Sequence, residues 1–138
     1  MRRRCPRGEP LGAARLGGHA LRIALPLDRP PGQGFATVVP APGAFVPGAL
    51  FRLGPGDLAA LDAYEDCPAL YLREELPVED LSAPGGSREV RAALYRMREP
   101  LRPARPRPDY VQTLREGYAD FGLPLQALEA ALREAGIP

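Results

Sequence analysis

The chain has no lysine: all 18 of its basic residues are arginines. That removes Schiff-base chemistry and any phosphate-loop lysine from its repertoire. Histidine is nearly missing too, His19 standing alone, and the only cysteines are Cys5 and Cys67. These form no Cys-x-x-Cys pair, and a single histidine does not complete a common zinc set with them, so no metal site is expected. No apolar run approaches the roughly 20 residues that span a bilayer. Arg2, Arg3 and Arg4 could open a signal peptide, yet Cys5, Pro6, Arg7, Gly8, Glu9 and Pro10 follow where an apolar stretch would be required. The expected compartment is the cytoplasm, with both thiols reduced. An excess of one charge is also lacking. Eighteen basic against 17 acidic residues leave +1, too little to draw in nucleic acid or an anionic membrane.

What remains is a chain of 138 residues with 18 Pro and 15 Gly. Its length suits one domain, taken as residues 1–138. Leu, Ile, Val and Phe make up about 23% of the chain, just above the roughly 20% below which a packed core becomes doubtful. Many turns and short strands should therefore frame a modest core.

Leu21, Ile23 and Leu25 alternate with Arg22 and Ala24, and Gly17-Gly18 precede them, which predicts a hairpin over Leu11 to Leu25. Phe35 to Val39 and Phe45 to Leu53 read as two strands separated by a Pro-Ala-Pro-Gly turn. Asp57 is the expected cap of a short helix running to Tyr64 or Glu65. Leu70 to Val78 and Val90 to Met97 read as two further strands across a Ser82 to Ser87 loop. The Arg102 to Pro108 run, with its Pro-x-x-Pro spacing, reads as a stiff loop with its arginines in water, next to Tyr110 and able to offer one arginine to a carboxylate. A helix over about Asp109 to Phe121 carries Tyr110, Val111, Leu114, Tyr118 and Phe121 on one stripe, with Gly122 as its stop. Pro124 suits the first turn of a last helix with Leu125, Leu128 and Leu132 on one face. Strands first and helices late predict an α+β domain, closed as a small mixed β-barrel that hides its edges.

At about 100° per residue, Leu58, Leu61 and Tyr64 define the buried arc of the short helix, and Glu65 falls between the two leucines. Asp62 lies on the border of that arc. A carboxylate held in apolar surroundings has its charged form penalised and becomes a better proton carrier near neutrality, which marks Glu65 as a candidate general base. Periodicity alone fits as well a helix already unwound at Cys67-Pro68 with Glu65 turned to water as an ordinary last-turn residue, since Glu is rarely fully buried unless paired, and geometry does not decide between the two. His19 after Gly17-Gly18 reads as a turn residue, and Cys67 as an ordinary thiol, since the lone imidazole lies far off in sequence.

The phrases Val46-Pro47-Gly48-Ala49-Leu50-Phe51, Leu61-Asp62-Ala63-Tyr64-Glu65-Asp66, Tyr71, Pro108-Asp109-Tyr110 and Gly122-Leu123-Pro124 occur in an order and spacing that resemble the gamma-glutamylcyclotransferase-like family. Arg3-Arg4-Cys5-Pro6, Leu11-Gly12 and Gly18-His19 extend the resemblance over nearly the whole chain. It implies that Glu65 is the acid/base of a cyclisation that turns a small-molecule gamma-glutamyl substrate into 5-oxoproline and releases an amine or amino acid, as in glutathione metabolism. It also implies that Tyr71 and Tyr110 stand near the substrate and that no cofactor or metal takes part. For Tyr110 a helix anchor, and for Tyr71 plain strand packing, are the competing roles.

The chain departs from the family in two places. It contains no Tyr-Gly-Ser-Asn-Leu-type loop, whose backbone N–H groups hold substrate in such proteins, so the domain is expected to be truncated at its N-terminus and the 138-residue form inactive or feeble. An edge left open beside a missing first strand would favour a homodimer. Asp66 stands where glycine commonly follows the catalytic glutamate. A non-catalytic binding module on the same fold is the alternative.

Overall fold

A computed structural model describes residues 8–137; Arg3 to Pro6, Cys5 included, lie outside the described residues. The chain runs β1 (Glu9–Pro26), β2 (Phe35–Arg52), α1 (Asp57–Tyr64), β3 (Tyr71–Asp80), β4 (Arg88–Met97), β5 (Leu101–Pro103), α2 (Pro108–Asp120) and α3 (Gln126–Glu134). This is the expected α+β class, with the short helix between strands and two helices at the end.

Two sequence breaks prove to be one feature. Gly17-Gly18 make no hairpin: β1 continues through them, carrying His19 within the strand, and pairs antiparallel with β2 from Glu9↔Arg52 to Ala24↔Phe35. The register jumps between Gly17↔Phe45 and His19↔Pro40, so Ala41 to Ala44 bulge out opposite Gly18 alone. The Pro-Ala-Pro-Gly segment is thus absorbed as a bulge inside one long strand. Prolines are tolerated at such a place because they remove ladder donors where the ladder is already interrupted.

The small mixed β-barrel is not formed. The sheet is open, in the order β2-β1-β3-β4 with β5 on β1, and all its pairings are antiparallel. The far edge of β1 is divided: β3 pairs with it at Ala14 and Arg15, and β5 at Ala24 to Pro26. Part of the Arg- and Pro-rich run is therefore strand, and Ala104 N–H also donates to Ile23 O. Where β2 and β4 would complete a barrel, side chains bridge the gap. Met97 N–H donates to Thr37 Oγ1 at 2.8 Å, and both groups are buried.

The main core packs Leu16, Leu21 and Ile23 of β1, with Val46 and Val78, against Val111 of α2 and the Leu128, Ala131 and Leu132 face of α3. A second cluster, Leu25, Leu70, Tyr71 and Met97, lies at the end of the sheet that follows α1. Arg115 and Glu129 join α2 to α3 by a two-pronged pair at 3.0 and 3.2 Å. No helix among the described residues is long and apolar enough to cross a membrane.

Candidate active site

The helix α1 has little apolar support. Of its residues only Asp57 is buried, and Tyr64, expected on the inner arc, is 62% exposed. Asp57 does not cap the helix as expected. Gly56 takes the N-cap position at φ 83, and the Asp57 carboxylate turns back to accept Gly54 N–H at 2.7 Å.

Glu65 is the C-cap residue. Beyond it, Asp66 N–H donates to Ala63 O and Cys67 N–H to Asp62 O, the paired bonds of a Schellman turn. The left-handed position of that turn is Asp66, at φ 54. The other two helices end in the same way, with Gly122 at φ 62 and Gly136 at φ 91 in the equivalent place. Only α1 puts a side chain there. Helix and turn together fix the backbone of Glu65, whose side chain is half-buried.

This geometry makes a simple prediction. A left-handed residue costs roughly 1–2 kcal/mol for a side chain, somewhat less for Asp, while glycine restores about 0.4–1 kcal/mol of unfolded-chain entropy. The Arg29–Asp66 pair that would be lost is exposed and 3.7 Å long, worth little. Asp66→Gly should raise stability by about 0.5–1 kcal/mol; a lower melting temperature would contradict this account of the turn.

Asp62, on the border of the helical arc in the sequence, turns its carboxylate to the sheet. Its carboxylate accepts the Tyr95 hydroxyl at 2.5 Å and pairs with Arg73 Nε at 3.0 Å. Burial, and then this hydrogen bond, push the Tyr95 phenol well above its ordinary range. Arg98 adds a link nearby, donating to Ala69 O at 2.8 Å and to Asp28 at 3.0 Å.

The structure brings Tyr71 and Tyr110 together on one residue. Tyr71 donates its hydroxyl to Ala36 O at 2.6 Å, and the Tyr110 hydroxyl accepts Ala36 N–H at 2.9 Å. Ala36 lies across from Ile23 in the ladder, so the two phenols occupy the outward backbone groups of β2. Tyr110 also meets Phe35 edge-on at 5.4 Å. Both tyrosines thus serve the seam between β2 and the following elements.

Two grooves stand out. One, of about 480 Å³, lies over Arg15, Glu79, Ser87 and Arg88; the other, of about 370 Å³, lies between the β2 bulge and α3. Neither is lined by Glu65, Tyr71 or Tyr110.

Comparison with known proteins decides the family. The model of the family described as "Gamma-glutamyl cyclotransferase, AIG2-like" matches residues 2–116. The chain belongs to this family. Among solved structures, a protein named gamma-glutamyl cyclotransferase is 24% identical, with a TM-score of 0.78 over 99% of this chain and 79% of that one. A human protein described as uncharacterized is 25% identical, with a TM-score of 0.77 and the same coverage. YkqA from Bacillus subtilis is 22% identical with a TM-score of 0.74, over 94% of this chain and 46% of YkqA. No curated protein matches the chain in sequence. The gamma-glutamyl cyclotransferase fold is therefore shared, as an open antiparallel sheet with three helices, and the family match includes the Leu61 to Asp66 phrase and both tyrosines.

Proposed function

We propose that this protein cyclises a gamma-glutamyl group to 5-oxoproline and releases the attached amine or amino acid, with Glu65 as acid/base. Glu65 takes a proton from the substrate's alpha-ammonium group, and the freed amine attacks its own gamma-carbonyl. The new C–N bond closes the ring, the old one breaks as the proton passes from Glu65 to the leaving nitrogen, and the ring nitrogen sheds its second proton to solvent, so that 5-oxoproline and a free amine result. Nucleophile and electrophile belong to one molecule, so holding the substrate folded supplies much of the acceleration; effective molarities of about 10⁵ M or more are known for such closures. No cofactor or metal enters this scheme.

The observation that carries the proposal is the family match across the Glu65 phrase. The role requires a fixed backbone at Glu65, which the Schellman turn supplies. Tyr71 and Tyr110 are proposed to line the substrate's path from the Ala36 seam. The substrate is a free small molecule, and the proposed setting is the cytoplasm.

Incubation with a panel of gamma-glutamyl amino acids and gamma-glutamyl amines tests this. Slow release of 5-oxoproline with an equal amount of amine is expected, and the preferred panel member names the leaving group. No release from any member by a natively folded chain would reject the enzyme in favour of a non-catalytic module on the same fold.

A further inference from the structure

We propose that Asp62 is a positioning residue: clamped by Tyr95 and Arg73, it fixes the turn that carries Glu65. The consequence for catalysis rests on the reading of Glu65 given above; the clamp itself does not. Asp62 is tied in two directions. Its carbonyl accepts Cys67 N–H at 3.0 Å, closing the turn around Glu65, and its carboxylate is held by the sheet. Tyr95 and Arg73 are direct partners in the β3–β4 ladder, so their side chains rise from one spot on one face and grip the carboxylate from two sides. The Asp62 side chain is 28% exposed, the most enclosed carboxylate of the site's ion pairs.

The helix needs such a grip. Lacking a buried apolar residue, α1 is anchored by polar contacts at its ends: Asp57 onto Gly54, and Asp62 onto β3 and β4. A carboxylate near reacting atoms must be held to within a fraction of an ångström, which requires a locked supporting shell. Burial and the Asp62 hydrogen bond both push the Tyr95 phenol upward, in the direction that keeps it a donor.

Amide hydrogen exchange on the whole chain, with kinetics alongside, tests the clamp. Tyr95→Phe keeps the ring and deletes the hydroxyl; Asp62→Asn keeps the shape and deletes the charge. In both, the Asp66 and Cys67 amides should lose about tenfold in protection, while the Gly122 and Leu123 amides, in the equivalent turn of α2, stay unchanged. Turnover should fall about tenfold with KM within about twofold, the signature of a misplaced reacting group. Unchanged protection at Asp66 and Cys67, or an equal loss at Gly122 and Leu123, overturns the clamp. If Glu65→Gln is inactive while Tyr95→Phe turns over normally, the positioning role is overturned. If exchange responds as expected and Glu65→Gln turns over normally, the clamp stands and the reading of Glu65 falls.

Discussion

A Glu65→Gln variant should release 5-oxoproline about 10²–10⁴ times more slowly than the parent, the usual worth of a positioned general acid/base. The substitution is nearly isosteric and leaves the local backbone alone, because Glu65 is held by its own N–H donating to Leu61 O at 2.8 Å and by the turn after it. Folding stability should move by far less than turnover, by about 1 kcal/mol or less, since most single substitutions that keep size and backbone stay in that range. Measured together, turnover and melting temperature separate chemistry from structure. Unchanged turnover would remove this side chain from the mechanism, and a large drop in melting temperature would make it a structural residue.

The largest expected loss of stability comes from Gly34→Ala. Gly34 is buried just before β2, and its N–H donates to Arg105 O at 3.0 Å. A Cβ there would fall on the Ala104 peptide, 2.6 Å from its carbonyl carbon and 3.0 Å from its Cβ. No flexible side chain can move aside; backbone must shift. Overpacking of this kind costs about 1–3 kcal/mol, or roughly 4–12 °C in melting temperature for a domain of this size. The strain also reaches the neighbouring Phe35 and Ala36, which hold the tyrosine seam. A melting curve unchanged by the substitution would refute the close approach.

The late helices were legible because their periodicity and stop signals agree: α2 matches the expected range within one residue at each end, and Gly122 adopts the left-handed stop. The strands β3 and β4 were equally plain. The long β1–β2 pair was not, since glycine and proline mark a turn and an interstrand bulge with the same residues, and only pairing distinguishes them. The barrel failed for a related reason. Edges can be satisfied by a phenol or a threonine as well as by another strand, and nothing in the local pattern near Ala36, Thr37 or Tyr71 announces that choice. At the site, the Glu65 phrase was readable through family resemblance, whereas helical angles misplaced Tyr64 because a helix ending at Tyr64 has too few turns to impose a face. The Asp62 clamp depends on which residues of β3 and β4 stand opposite each other, a long-range fact.

The sharing of Ala36 by two aromatic hydroxyls bears on how mutants of this family are interpreted. Tyr71→Phe and Tyr110→Phe are natural choices for probing contact with a ligand, but in this molecule each also takes a rivet out of a joint with β2, from β3 in the first case and from α2 in the second. A drop in activity in either variant contains an architectural share, and a parallel thermal melt is the subtraction that isolates the remainder.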